Sequence, residues 1–429
     1  MNPYAIIILV TVIATALLEA VAELLNLRAL SPVLPEEFRD VYDEAAYARS
    51  QEYTRARTRF GFITATVDMA LLLVFWFAGG FNALDLLVRA LGWPELPTGL
   101  LYLSLLLTGM GVLSLPFRIY STFVIEQRFG FNTTTVKTFV LDLLKGAALG
   151  ALLGLPVLAL VLWLFDAAGP LAWLYAWLAV TAFRIVMQYV APTWIMPLFN
   201  TFTPLGEGPL RDEILAYAES VKFSLQGVFV MDGSKRSSKA NAFFTGFGKN
   251  KRIALFDTLI EKHTAEELTA VVAHEIGHER KKHIVIGMLI GIGETGVMFF
   301  LLSLFVSSPA LAAAFFMEHV SVYAGLVFFG LLYGPVSTLI SLGMNALSRR
   351  HEYEADRYAV RTYRKPEAFV AALKKLTASN LSNVTPHPLY VFLNYSHPPL
   401  MERITQIRMV ADEKTRHRGK MKVRMRDVL

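Results

Sequence analysis

The chain has 429 residues, of which 54% are hydrophobic and 18% are charged, and its formal net charge is +6. A soluble protein averages about a quarter charged residues, and the deficit here lies in long apolar runs, so the composition predicts an integral membrane protein. The chain has no cysteine, which excludes disulfides, thiolate metal sites and cysteine nucleophiles. Its basic residues flank the apolar runs without forming a recognition motif, which argues against a nucleic-acid partner.

Seven apolar runs are long enough, at about 20 residues, to cross a bilayer as helices. They lie at about 4–25, 62–82, 98–124, 139–165, 171–192, 284–307 and 320–346. Pro116 in the third run predicts a kink or an end of that helix. Lys and Arg concentrate in every second connection, namely 26–61, 125–138, 193–283 and 345–429. By the positive-inside rule, this alternation predicts a cytosolic C-terminus and an N-terminus on the outer or lumenal side.

The polar segment 193–283 has the pattern of a small α+β unit. Charged and apolar positions recur at helical spacing over 209–223, which predicts an amphipathic helix. Apolar, β-branched and aromatic residues predict three strands, at 228–231, 241–247 and 251–256. The last two strands are joined by a predicted hairpin turn at 248–250.

A helix that carries an H-E-x-x-H motif follows these strands. Thr264 and Glu267 form a predicted capping box at its start, and we expect the helix to continue into the sixth apolar run. His274 and His278 are four residues apart and therefore lie on one face, where both imidazoles can bind one metal ion. Glu275 then lies beside the metal, placed to handle protons. The alternative is a charged, solvated helix end next to a membrane span.

A catalytic zinc site needs a third protein ligand and an open position for water. His283 is predicted to face away from the metal, because it lies about 140° further round a continuous helix than His278. Glu294 lies inside the sixth run, about 24 Å along the same helix from His278, which is too far for a shared metal. Glu352 and Asp356 lie just past the seventh run on one helical face, and one could ligate while the other accepts a hydrogen bond from a ligand histidine. We prefer Glu352 as the ligand.

His397 and Arg403 lie in a later segment, N-Y-S-H-P-P-L-M-E-R. A lone histidine is more often structural than catalytic. Beside a zinc site, however, a histidine and a fixed arginine would suit stabilisation of an oxyanion or binding of a substrate carboxylate.

Together these motifs and the seven runs resemble the CAAX prenyl protease type 1 family, integral-membrane zinc metalloproteases related to the yeast a-factor-converting enzyme. Further matching segments lie at 126–132, 232–238, 241–242, 246–248 and 255–259. The resemblance extends from about residue 50 to 410. The shorter, stress-induced membrane proteases of bacteria share the metal motif but have fewer spans.

The resemblance implies one zinc ion per chain, with His274, His278 and Glu352 as its ligands. It implies that Glu275 is the general base. It also implies that the seven helices enclose a large, water-filled chamber, into which the metal faces.

Further residues have roles implied by the same resemblance. Asn241 and Ala242 would belong to the strand that pairs with substrate. His397 and Arg403 would orient the scissile carbonyl or the end of the substrate. Lys239 departs from the family pattern, since relatives often have another polar residue there.

The predicted fold class is a mainly α membrane protein, with seven transmembrane helices around a chamber and a small α+β zinc metalloprotease domain on the cytosolic side. Residues 1–192 are predicted to form helices 1–5 with their loops, and residues 193–283 the metalloprotease segment. Residues 284–346 are predicted to form helices 6–7, and residues 347–429 a C-terminal segment with the third ligand. We expect a monomer in contact with membrane lipid, in the plasma membrane of a bacterium or the endoplasmic reticulum of a eukaryote.

The resemblance implies a prenylated C-terminal CaaX peptide as substrate, from which the last three residues are removed. One alternative is a quality-control protease that acts on non-prenylated membrane proteins with the same site. A less favoured alternative is a channel or transporter with a structural metal.

Overall fold

In a computed structural model, the backbone is described for residues 2–245 and 252–426, and the side chains for 2–244 and 252–413. The predicted hairpin turn at 248–250 lies outside the described residues. The longer helices are α1 (Pro3–Ala29), α2 (Glu44–Phe77), α3 (Gly80–Arg89), α4 (Glu95–Tyr120), α5 (Val136–Leu149), α6 (Leu155–Ala167), α7 (Ala172–Val190), α9 (Pro209–Ser220), α11 (Ala265–Arg280), α12 (His283–Phe305), α14 (Val322–Tyr363), α15 (Pro366–Ser379) and α17 (Leu400–Arg426). Short helices are α8 (Met196–Phe199), α10 (Asp257–Ile260), α13 (Pro309–Ala314) and α16 (Pro388–Asn394).

Seven helical segments are long and apolar enough to span a membrane, which confirms the predicted number. They are Pro3–Ala29, Glu44–Phe77, Glu95–Glu126, Val136–Ala167, Gly169–Phe199, His283–Phe305 and Val322–Tyr363. The third continues through Pro116 and its last turns are π-helical, so the proline does not end it. The second and seventh are much longer than their apolar runs, because polar helix extends each of them beyond the membrane-length stretch.

The spans surround a chamber and do not pack as a solid bundle. Only 6% to 22% of the most apolar window of each span is buried, whereas a helix in a solid bundle buries a continuous stripe. The side chains of Trp76, Phe315 and Phe328 stack in a buried cluster that joins the second span, α13 and the seventh span.

The strands are β1 (Phe202–Pro204), β2 (Gly227–Met231), β3 (Ala242–Thr245) and β4 (Arg252–Phe256). They form one sheet in the order β1-β2-β4-β3, with β2 and β4 parallel and the outer pairs antiparallel. The order makes β3 an edge strand.

The polar domain has one core, built from two distant parts of the chain. Buried side chains of β2, β4 and α11 pack against side chains from the end of α14, from α15 and from α17, including Ile253, Ile276, Phe369 and Ile404. The chain after the seventh span therefore belongs to the same folded unit as the H-E-x-x-H helix.

The predicted continuity of that helix with the sixth span is wrong. Helix α11 ends at Arg280, and α12 begins at His283. Lys282 between them has a left-handed backbone, with φ 59°. A non-glycine residue in this region ends a right-handed helix. The direction of a side chain on α12 therefore cannot be calculated by counting residues along α11.

Candidate metal centre

Helix α11 presents its two histidines to one point in space. A capping box fixes its start, since Thr264 Oγ1 accepts the Glu267 backbone N–H at 3.3 Å and Glu267 Oε2 accepts the Thr264 N–H at 3.0 Å. Ten residues further along, the Nε2 atoms of His274 and His278 are 3.1 Å apart. The predicted shared face is therefore present.

The third arm of the site comes from α14, which lies against α11. A Cβ atom at Gly277 would be 3.1 Å from Cα of Ala355, so the two helix backbones are in near contact. This close approach places Glu352 Oε1 3.2 Å from His278 Nε2, and Glu352 Oε2 3.4 Å from His274 Nε2. Glu294 does not belong to this group.

These three side chains fit a metal ion. Ligands about 2.0–2.1 Å from a tetrahedral metal stand about 3.3 Å from one another. Here the two histidine Nε2 atoms are 3.1 Å apart, and they lie 3.2 and 3.4 Å from the two Glu352 oxygens, one each. Glu352 Oε2 is buried and makes no hydrogen bond of normal geometry, although buried polar atoms are seldom left in this state. Among the described residues, His274, His278 and Glu352 form the group of three whose ligand atoms lie close enough together to share one metal ion.

Asp356 supports the first histidine from the side opposite the metal position. Its Oδ1 lies 2.8 Å from His274 Nδ1, which directs Nε2 towards Glu352. Burial disfavours the charged form of His274, but hydrogen bonds to Asp356 and Glu352 outweigh burial and raise the His274 pKa to about 9. Such a carboxylate–histidine pair orients the ring and increases its basicity as a ligand.

Arg403, from α17, is buried and holds Asp356 through two hydrogen bonds. Its Nε and Nη2 donate to the two Asp356 oxygens at 2.9 and 2.6 Å, and Nη1 lies 3.4 Å from Glu352 Oε2. The guanidinium therefore neutralises the carboxylates on this side of the metal position. These contacts place Arg403 beside the ligands, and the substrate-orienting role that the resemblance implies stays a prediction.

His397 faces the same site from the open side. Its Nε2 lies 3.3 Å from Glu352 Oε1, and its side chain is 64% exposed. Ser396 Oγ lies 3.0 Å from His397 Nδ1 and restricts the ring. Glu275 is half-buried and follows His274 on α11. The structure thus brings together the predicted residues His274, His278, Glu352, Asp356, His397 and Arg403, and Glu275 follows His274 in the chain.

The predicted orientation of His283 is wrong. Its Nδ1 lies 3.1 Å from His278 Nδ1, and its ring stacks on His351 at a centroid distance of 3.9 Å. Its Nε2 lies 3.4 Å from Glu354. The left-handed Lys282 starts a new helix at His283, so rotation counted along a continuous helix does not apply. His283 supports His278 much as Asp356 supports the other histidine.

The strand predicted to bind substrate is the free edge of the sheet, beside α11. The Asn241 carbonyl accepts a hydrogen bond from Phe256 N–H at 3.1 Å, so Asn241 faces β4. Because orientation alternates along an antiparallel pair, the N–H and C=O of Ala242 face outward. Asn241 Oδ1 accepts the outward Ala242 N–H at 2.9 Å.

A metal-ligand set beside an edge strand, with its third ligand on a helix that is continuous with the seventh membrane span, defines a membrane-embedded metalloprotease. Two family models match the chain: one described as CAAX prenyl protease N-terminal, five membrane helices, over residues 23–201, and peptidase family M48 over residues 204–411. The chain belongs to the CAAX prenyl protease 1 family.

Individual relatives span almost the whole chain. The CAAX prenyl protease 1 homologue of Arabidopsis thaliana is 37% identical, over 91% of this chain and 94% of the relative. The CAAX prenyl protease 1 of Saccharomyces cerevisiae is 34% identical, over 89% and 90%. The crystal structure of S. mikatae Ste24p matches with a TM-score of 0.90 at 33% identity, covering 95% of this chain and 99% of that one. The chamber fold and the metalloprotease class predicted from the sequence are confirmed.

Proposed function

We propose that this protein is a zinc endopeptidase that cleaves prenylated CaaX peptides near their C-terminus and removes the last three residues. The observation that carries the proposal is the spacing of 3.1 to 3.4 Å among the ligand atoms of His274, His278 and Glu352. Two His and one Glu are a ligand set of catalytic zinc sites. The relatives in Arabidopsis thaliana and Saccharomyces cerevisiae, both named CAAX prenyl protease 1, support the CaaX substrate class.

The proposed reaction is hydrolysis of a peptide bond. Zinc held by the three ligands would lower the pKa of its water to about 7. Glu275 accepts the proton of the attacking water and passes it to the leaving amine nitrogen. His397, on the open side, donates a hydrogen bond to the oxygen of the scissile carbonyl as negative charge develops there.

The remaining site residues hold substrate and ligands in position. Asn241 and Ala242 belong to the strand that binds the substrate as an added strand, and the outward main-chain groups of Ala242 offer the hydrogen bonds to an extended peptide. Asp356 fixes the ring of His274. Arg403 acts through Asp356 and Glu352 as a positioning residue, which its contacts support better than direct substrate binding.

We also propose how the chain is placed in the membrane. The Lys and Arg distribution supports a cytosolic C-terminus and an N-terminus on the other side, so that the metal centre opens to the cytosolic half of the chamber. The membrane helices lie in residues 1–192 and 284–346. The metalloprotease segment is 193–283, and the C-terminal segment is 347–429. We propose a functional monomer, since all the site residues come from one chain.

The test uses purified full-length protein and a farnesylated peptide that ends in a CaaX sequence, with products identified by mass spectrometry. We expect release of the last three residues, inhibition by a zinc chelator, and one zinc per chain by elemental analysis. Glu275→Gln should keep its zinc and lose cleavage, and Glu352→Ala should lose zinc. Glu266→Gln, an exposed change on the same helix, is the matched control and should keep both.

Two outcomes would contradict parts of the proposal. Cleavage by Glu275→Gln at the wild-type rate would refute its role as the base. Equal cleavage of farnesylated and unprenylated forms of one peptide would favour a quality-control protease with the same metal centre.

A further inference from the structure

The free edge of the sheet ends abruptly one residue before Asn241. The alternation that turns Ala242 outward also turns Ala240 outward, two residues earlier. There the side chain of Asn380 takes the place of a neighbouring strand: its Oδ1 accepts the Ala240 N–H at 3.0 Å, and its Nδ2 donates to the Ala240 carbonyl at 3.1 Å. A peptide that pairs with Ala242 therefore cannot continue along the edge past Ala240.

Asn380 is held firmly in this position. It is the residue after helix α15, and its N–H donates to the Leu376 carbonyl at 3.1 Å. The next residue, Leu381, has a left-handed backbone with φ 50° and is buried among aromatic side chains. A strained backbone of this kind persists only where the surrounding packing enforces it, so the amide is a fixed stop.

Beyond the stop lies a cavity of about 500 Å³, lined by Asn380, Arg57, Lys239 and Glu23. Lys239 is already paired, since its Nζ lies 2.8 Å from Glu126. Glu23 accepts a hydrogen bond from a threonine hydroxyl at 3.0 Å.

Arg57 is the cation in this cavity that lacks a carboxylate. Its side chain is exposed, and its Nη1 donates a long hydrogen bond of 3.4 Å to the Tyr53 hydroxyl. No carboxylate among the described residues is recorded within 4.0 Å of the guanidinium. Since an arginine prefers two parallel hydrogen bonds to a carboxylate, it has capacity for an anion.

This cavity adjoins one that lies beside the metal centre. A second cavity of about 390 Å³ contains His397 and Arg403, and it shares Asn380 and Tyr395 with the first. Arg57 therefore lies in the cavity next to the one that contains His397 and Arg403. If the peptide runs antiparallel to β3, its C-terminus lies at the Ala240 end, since antiparallel partners have opposite directions.

We propose that Asn380 and Arg57 form an end stop for the substrate, in which Asn380 terminates the strand pairing and Arg57 binds the free C-terminal carboxylate. Residues opposite Ala242 and Ala240 would be two positions apart, about 7 Å, so only a short C-terminal piece fits between the paired strand and the stop. This inference rests on the proposed peptidase function. It assigns the residues that fix how far the cleaved bond lies from the C-terminus of the substrate.

The experiment compares two forms of one farnesylated CaaX peptide, with a C-terminal carboxylate or a C-terminal carboxamide. We expect kcat/KM of wild type to be about 10-fold to 100-fold higher for the acid, the usual effect of a hydrogen bond to a charged group. Arg57→Met should reduce cleavage of the acid to the rate of the amide and leave the amide unchanged. Arg57→Lys should restore part of the preference. A peptide extended by three residues beyond the CaaX sequence should be cut poorly at the original bond.

The matched control is Arg59→Met, on the same helix but lining a different cavity, which should leave both rates unchanged. Equal rates for acid and amide with wild type, a comparison that needs no variant, would overturn the proposal. So would an equal loss on both peptides with Arg57→Met. If the unprenylated acid is cut as fast as the farnesylated one, the proposed substrate class fails, while the acid–amide ratio still decides the role of Arg57. Absence of cleavage of every peptide would overturn both.

Discussion

Gly277→Ala should weaken metal binding more than it weakens the fold. A methyl group at this position would lie 3.1 Å from Cα and from the carbonyl oxygen of Ala355, and 3.2 Å from Cβ of Tyr358. Ordinary contacts begin at 3.4 Å, so α11 and α14 must separate by about 0.3 Å. Overpacking costs about 1–3 kcal/mol, whereas alanine favours a helix by about 1 kcal/mol over glycine. The net loss of stability is therefore about 0–2 kcal/mol.

The same displacement acts directly on the metal site. Two ligands belong to α11 and the third, Glu352, belongs to α14, so the separation of the helices moves one ligand away from the others. Metal–ligand distances tolerate about 0.2 Å, which the shift exceeds. We expect zinc affinity to fall about 10-fold to 100-fold, as it does when the support of a ligand is lost. Competition with a chromophoric chelator measures the affinity, and thermal unfolding measures the stability.

Gly287→Ala is the control, because a Cβ atom on that glycine of α12 would meet nothing within 4 Å. It makes the same chemical change without a collision, and zinc affinity should remain at the wild-type value. Wild-type affinity in Gly277→Ala would refute the reasoning. An equal loss of affinity in Gly287→Ala would show that the helix contact is not the cause.

Three further predictions concern the same domain. Asp356→Asn leaves the guanidinium of Arg403 buried without its main partner, so it should destabilise the protein by about 3–5 kcal/mol; an unchanged thermal transition would contradict this. Thr264→Ala removes the helix cap and should cost about 1 kcal/mol, again measured by thermal unfolding. Because the pKa of His274 is raised to about 9 in the metal-free protein, zinc uptake at pH 7.5 should release a proton; calorimetry in buffers of different ionisation enthalpy should detect it, and a buffer-independent enthalpy would refute it.

Local patterns predicted the parts of this protein that depend on local physics. The seven spans follow from apolar length, and the start of α11 follows from the Thr264 capping box. The metal ligands were within reach of the sequence because His274 and His278 share a helix face and Glu352 lies just past an apolar run. That these two segments lie close together in space could be predicted only from the family resemblance or seen in the structure, since no spacing rule brings α11 and α14 together.

Features that depend on backbone irregularity were not predictable in this way. His283 was placed on the wrong side because periodicity assumes one continuous helix, and the left-handed Lys282 carries no sequence signal of its own. Asn380 lies 140 residues from Ala240, whose main chain it binds, and an asparagine after a helix reads simply as a cap. Gly277 is a partial exception, since a glycine inside a helix is a signal of close packing.

The metal centre ties the catalytic unit to the membrane helices through α14. This helix is continuous for 42 residues, from Val322 to Tyr363, so the part that spans the membrane also carries Glu352 and Asp356. Arg403 closes the arrangement from α17, which packs in the same core as α11. A change in the tilt of the seventh span would therefore move a proposed metal ligand. The chamber and the metal centre are consequently one mechanical unit, in which the seventh span positions the third ligand.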